Sequence, residues 1–151
     1  MNRRTGWRNG WRIGYGLASA LVLAIAAAAC GGGPTNPSQN QVDNFTVTIV
    51  PVSGGGSGTS SPSTFVVANT GELTITVPTA TPTPNNYLGL FLGNTASDGS
   101  CSGAIVNQFV AVGQAAYTNG NILKGNYCVS LSDIYGILTA TTTFTIKVSH
   151  P

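Results

Sequence analysis

Within the stretch NFTVTIVP, Asn44 to Pro51, apolar and hydroxyl side chains alternate from Phe45 to Ile49. On an extended chain Phe45, Val47 and Ile49 share one face, and Thr46 and Thr48 share the other. Successive side chains of a strand point to opposite faces, so a period of two marks a half-buried β-strand. The same rhythm returns along the chain. It places Leu73, Ile75 and Val77 on one face, then Leu88, Leu90 and Leu92 with Tyr87, Gly89 and Phe91 opposite. Further on it aligns Tyr127, Val129 and Leu131, and finally Phe144, Ile146 and Val148, with Thr143, Thr145 and Lys147 facing outward.

The segments GAIVNQFVAVG and QAAYTNGNIL read as two more strands, and TFVVANTGELTITVP as a pair joined at Asn69-Thr70-Gly71. VSGGGSGTSSPS reads as a long flexible loop, and TATPTPNN as a turn, because proline donates nothing to a sheet ladder. Lys124-Gly125-Asn126 is a further turn. About eight one-sided strands and no amphipathic helix predict an all-β antiparallel β-sandwich of jelly-roll or Ig-like kind, since two packed sheets bury such faces together.

Charged residues make up only 7% of the chain, against about 25% in typical domains. Of the six basic residues, Arg3, Arg4, Arg8 and Arg12 lie at the N-terminus. Beyond Cys30 only Lys124 and Lys147 remain, against Asp43, Glu72, Asp98 and Asp133. With no basic patch to neutralise phosphates, nucleic-acid binding is not expected.

Residues 1–12 are basic, and residues 13–29, IGYGLASALVLAIAAAA, are uncharged and largely apolar. That order is the n-region and h-region of a bacterial export signal. Arg3-Arg4 hints at a twin-arginine signal, but the residues after it do not continue one. Ala27-Ala28-Ala29 before Cys30 resembles a lipobox, the processing site of bacterial lipoproteins. In that family the cysteine thiol receives a diacylglyceryl group and the signal is cut just before it. The family usually has Leu three residues before the cysteine, where this chain has Ala27. The same alanines also fit an ordinary small-x-small cleavage site, which would release a soluble protein. An uncleaved helix is the third option, because the apolar run lies at the lower margin for crossing a bilayer.

The three cysteines bear on that choice. An odd count in an exported protein leaves one thiol to explain. Cys101, in the polar loop SDGSCSG, and Cys128, on a strand, are expected to pair as a disulfide in an oxidising compartment. Lipidation at Cys30 then accounts for the third. A metal pair lacks partners, since there is no CxxC and only one histidine. After Cys30, GGGPTNPSQNQ has no apolar period and reads as a tether. The predicted organisation is therefore a signal peptide over 1–29, a tether over 30–42 and a β-sandwich over 43–151.

The strings GELTITVP, YLGLFLG, LKGNYCVSLSD and TFTIKVSHP resemble the bacterial pre-peptidase C-terminal domain, over about residues 44–149. That family is a small β-sandwich usually appended to secreted peptidases. The resemblance implies a non-catalytic accessory role in surface attachment, secretion or ligand binding. This chain departs from the family's setting, because no peptidase fits between Cys30 and Asp43.

Catalysis needs a nucleophile with a base in reach, paired carboxylates or a metal centre. The only histidine, His150, stands next to the last residue, where fraying is expected. The four acids are scattered and mostly in loops, so no enzyme and no cofactor is expected. A weak calcium site is the one metal option. Asp98 and Asp133 would supply it from loops, with carbonyl-type oxygens at Asn94 and Asn85 nearby. Against it, Asp98-Gly99 is an ordinary turn dipeptide. A polysaccharide or polypeptide could instead bind through aromatics drawn from Tyr87, Phe91, Tyr117, Tyr127 and Tyr135, with Tyr87 and Phe91 sharing the face opposite the leucines. An open sheet edge is a further place for a partner strand. The sequence thus predicts an exported, non-catalytic lipoprotein of the cell envelope, held at the outer membrane or cell surface by its lipid. The alternative is a soluble secreted binding module.

Overall fold

The computed structural model describes residues 39–151. The signal segment, Cys30 and most of the tether lie outside the described residues. Nine strands follow one another: β1 (Gln41–Ile49), β2 (Gly58–Thr59), β3 (Ser63–Val67), β4 (Gly71–Thr81), β5 (Leu88–Thr95), β6 (Cys101–Val110), β7 (Ala115–Ile122), β8 (Gly125–Asp133) and β9 (Thr142–His150). They form one four-stranded sheet in the order β1-β9-β4-β7 and one five-stranded sheet in the order β2-β8-β5-β6, with β3 also paired to β8. Every pairing is antiparallel. The chain is the antiparallel β-sandwich that its alternation predicts.

The inward faces are those read from the sequence. Ile49, Leu73, Ile75, Val77, Leu88, Leu90, Leu92, Leu131, Phe144, Ile146 and Val148 are all fully buried. They form one continuous core with Phe65, Val67, Tyr127 and Val129. The strands that carry these residues each present one apolar face, and the two sheets remove those faces from water together.

Four local readings are corrected. The long Gly/Ser loop contains β2, which pairs with Ser132 and Asp133; its small side chains hide the strand from any hydrophobic pattern. Ser60, next to it, is buried, and it donates its N–H to Leu131 O and accepts the Leu131 N–H on Oγ. β1 starts at Gln41, inside the stretch read as tether, and Asn40 donates its side-chain amide to Glu72 O. β4 runs through Pro78 to Thr81, because the β4–β9 register shifts between Thr76 and Thr79 and the ladder does without the proline's missing donor. Cys101 opens β6 rather than sitting in a loop.

Register also gives the sandwich two distinct ends. Gln41 faces His150, Val67 faces Gly125, and Cys101 faces Thr95, so the start of β1 and the ends of β5 and β9 share one end. At the other, Ile49 faces Thr142, Gly58 faces Asp133, and Leu88 faces Val110. The first is called the Gln41 end, and the second the Asp133 end.

Cys101 and Cys128 form a disulfide, with their Cα atoms 5.7 Å apart. β6 and β8 lie on opposite sides of β5, so the bridge crosses the outer face of that strand. Gly93 makes the crossing possible: a Cβ there would come 2.6 Å from Ser102 O, far inside contact distance. Cys128 Sγ rests 3.3 Å from Asn94 O.

Two outcomes test these packing assignments. Leu90→Ala, in the centre of the core, is expected to cost about 3 kcal/mol in urea denaturation, whereas Val66→Ala, on an exposed face, should stay within about 0.5 kcal/mol. The bridge closes a separation of 27 residues. Replacing both of its cysteines by alanine should lower stability by about 3 kcal/mol, without altering the far-UV circular dichroism of the sheets.

Candidate functional site

The charges are unevenly placed. Asp43, Glu72, Asp98, Lys124, Lys147 and His150 all belong to the half of the sandwich at the Gln41 end, as the strand registers require. Among the described charged residues Asp133 alone lies at the other end, and it is buried.

His150 is not frayed. It is the last residue of β9, only 1% exposed, and its ring packs on Phe65 at a centroid distance of 5.3 Å. Its Nε2 is 3.0 Å from Asp43 Oδ2, and its Nδ1 is 3.4 Å from Pro151 O. An ionised carboxylate only accepts, so Nε2 carries the proton and donates it to Asp43. The hydrogen bond from His150 holds the Asp43 carboxyl below its ordinary pKa of 3.8, against the opposing effect of burial, with further help from Gln41. A His–Asp pair can orient a general base. Here Nε2 is occupied by Asp43 and the ring is shut from solvent, so the pair acts as a latch between β1 and β9.

The two carboxylates considered for calcium do not meet. Asp98 lies in the turn beyond Thr95, and Asp133 lies one residue past Ser132, the partner of Gly89. They stand at opposite ends of β5, about 20 Å apart along the strand at ~3.3 Å per residue. Asp98 Oδ1 accepts from Ser100 N at 2.9 Å and from Ser100 Oγ at 2.7 Å, and those bonds lower its pKa. Asp133 accepts the N–H of Ile137 at 3.2 Å and of Leu138 at 2.8 Å, which closes the loop after β8. Each aspartate thus organises its own loop, the turn role open to it from the sequence. Among the described residues no three His, Cys, Asp or Glu side chains gather closely enough to hold a metal ion.

The aromatics divide cleanly. Tyr127 is buried and stacked on Phe65 at 5.8 Å; its hydroxyl donates to Leu123 O, and burial raises its pKa. Tyr117 packs against the core. Phe91 is half-buried and leans over Gly93. Tyr87 is 60% exposed, so the two residues that alternation puts on one face differ in availability. Tyr135 is 58% exposed and stacks on Phe109, itself 56% exposed, with centroids 5.8 Å apart and planes 9° from parallel.

Phe109 is the aromatic that the sequence reading missed. It opposes Gly89 across β5 and β6, on the outer face of the five-stranded sheet. A side chain at Gly89 would fall on Ile134 and Ser132, so the glycine leaves room for the Ile134-Tyr135 loop to fold over β5. Asn107, two residues before Phe109 on the same face of β6, is exposed. The result is a patch of parallel rings at the Asp133 end, flanked by an amide and free of charge.

A groove of about 410 Å³ lies at the Gln41 end, between β3 and the β5–β6 turn, lined by Thr64, Phe65, Val66, Thr95, Ala96, Ser97 and Asn126. Thr95 Oγ1 is buried there without a hydrogen-bond partner. The groove carries no ionisable side chain and no reactive group.

No family model matches the chain, and no curated protein matches it. Among solved structures, it is similar to a chain in the structure of infectious bursal disease virus Gt strain, with 12% identity and a TM-score of 0.29. The similarity covers 74% of this chain and 32% of the viral one, so the present chain spans about a third of that protein's length.

The latch has a pH dependence with a defined sign. A carboxylate with a depressed folded pKa contributes stability that is complete above its ordinary value of 3.8, and loses it as pH falls through the folded value. Asp43→Asn should therefore be less stable than the parent near neutral pH. The two should converge by about pH 2, as read from urea midpoints across a pH series.

Proposed function

We propose that the chain is a non-catalytic lipoprotein of the bacterial cell envelope. It is exported by its N-terminal signal, acylated on Cys30, and displays the sandwich as a structural or adhesive module beyond a short tether. The observation that carries this reading is the cysteine count. Cys101 and Cys128 are joined to each other, so neither is available to Cys30, and a thioether to lipid gives the remaining thiol a role. Its setting agrees: a basic start, an apolar run, three alanines and then the cysteine. The site geometry favours display over chemistry. The one histidine is engaged within the core, and the accessible feature is an aromatic patch suited to contact rather than bond making. The strings resembling the pre-peptidase C-terminal domain fit an accessory role of the same kind. The membrane is then a partner through the lipid alone.

Intact mass spectrometry of the mature protein tests the anchor. The membrane fraction should yield a chain beginning at Cys30 with diacylglyceryl and acyl mass added. Cys30→Ala should lose that mass and leave the membrane. A lipid-free mature chain in the medium would overturn the reading and favour a soluble secreted module.

A further inference from the structure

The geometry assigns the Phe109–Tyr135 patch as a binding site for a neutral saccharide, at the Asp133 end of the sandwich. Three observations converge on it. The rings are parallel, exposed and stacked on each other, beside the Ile134 side chain that lies over Gly89. Each restrains the other, so an exposed ring face loses little conformational entropy on binding. The axial C–H groups of a pyranose ring make a matching flat apolar face, and its equatorial hydroxyls need donors and acceptors at the edge. Asn107, opposite Phe91 on β6, and Ser132, opposite Gly89 on β8, supply a carboxamide and a hydroxyl there.

Charge then narrows the ligand. Among the described residues the one charged side chain at this end is Asp133, whose carboxylate is buried and accepts the Ile137 and Leu138 N–H groups. An anionic glycan would find no cation here, and a basic peptide no available anion. The ionisable groups at the other end, Asp43, Glu72, Asp98, Lys124, Lys147 and His150, lie across the length of the strands from the patch. An uncharged polyhydroxyl ligand loses nothing at such a surface.

The patch lies at the opposite end of the strands from Gln41, near which the described chain begins. The ligand chemistry does not depend on the lipoprotein reading.

The test is affinity electrophoresis of the full mature protein in gels containing hydroxyethylcellulose, laminarin, xylan or mannan, with polygalacturonate as the anionic comparison. Retardation is expected in at least one neutral gel and not in polygalacturonate. Phe109→Ala and Tyr135→Ala should each raise the apparent dissociation constant at least about tenfold, and Phe109→Tyr should preserve binding. Both rings are exposed, so unchanged urea midpoints are expected to show that the alanine variants fold. The proposal is overturned by no retardation in any of the four neutral gels, by retardation that both alanine variants keep, or by preference for polygalacturonate. It is also overturned if neutral phosphatidylcholine vesicles capture the signal-free chain in a Phe109-dependent way. Membrane retention of the same variants separates the two readings. Retention without saccharide binding removes only the site, and saccharide binding by a lipid-free chain removes only the anchor.

Discussion

β9 sits between β1 and β4, and two of the three interfaces in the four-stranded sheet run through it. It is also the last strand in sequence, while β1 is the first. The β1–β9 ladder joins residues about as far apart in the domain as any can be, from Gln41 with His150 to Ile49 with Thr142. Phe144, Ile146 and Val148 project from that strand into the core and are fully buried. Until β9 docks, the inner face of β1 has no neighbouring strand in its sheet, and β4 has only β7. The sheet's formation must therefore wait for its most non-local contacts, the condition under which β-sandwiches fold slowly. The His150–Asp43 hydrogen bond sits at the end of this ladder, where fraying would begin. It holds the first strand to the last where the described chain starts.

The five-stranded sheet solves a different problem, on its outer face. β5 carries glycine at two outward positions, Gly89 and Gly93, and each is crossed by something that a side chain would block. At the Gln41 end the crossing is covalent, made by Cys101 and Ser102 as β6 folds over the strand. At the Asp133 end it is the Ile134-Tyr135 loop, which lays an aromatic against Phe109. The same local device thus fastens one end of the sheet and builds a recognition surface at the other. Gln108 adds a clasp between the sheets, donating its side-chain amide to Ala116 O on β7.

The inward leucines, isoleucines and valines were legible because burial on one side of a strand imposes an alternation that nothing else in the chain imitates. The legible part ends where alternation does. β2 is a glycine and a threonine, and it exists because Ser60 and Ser57 tie its surroundings to β8. Tertiary pairing, not local preference, makes that strand. Phe109 stayed hidden because β6 turns a polar side chain inward at Gln108, bonded to Ala116 O, and an apolar one outward at Phe109, the reverse of the alternation that marks a buried face. His150 looked like a frayed end because sequence position was taken as a guide to burial. Its partner lies 107 residues away, and no local pattern marks such a pairing. The strings resembling the pre-peptidase C-terminal domain are themselves alternating strands, which any sandwich of this length supplies, and that is why they specify fold better than family.

The placement of charge follows from the same economy. With so few charged groups, the outward faces of the domain are lined by threonines and asparagines, with cross-strand hydroxyl pairs such as Thr79 with Thr145. Such a surface tolerates charge anywhere in principle, yet among the described residues every charged side chain but Asp133 lies in the half nearer Gln41. β1 has nine residues, about 30 Å of strand, so most of that length separates the charged end from the rings of Phe109 and Tyr135. A fixed charge beside those rings would have to be desolvated by whatever covers them, a cost that the uncharged end avoids.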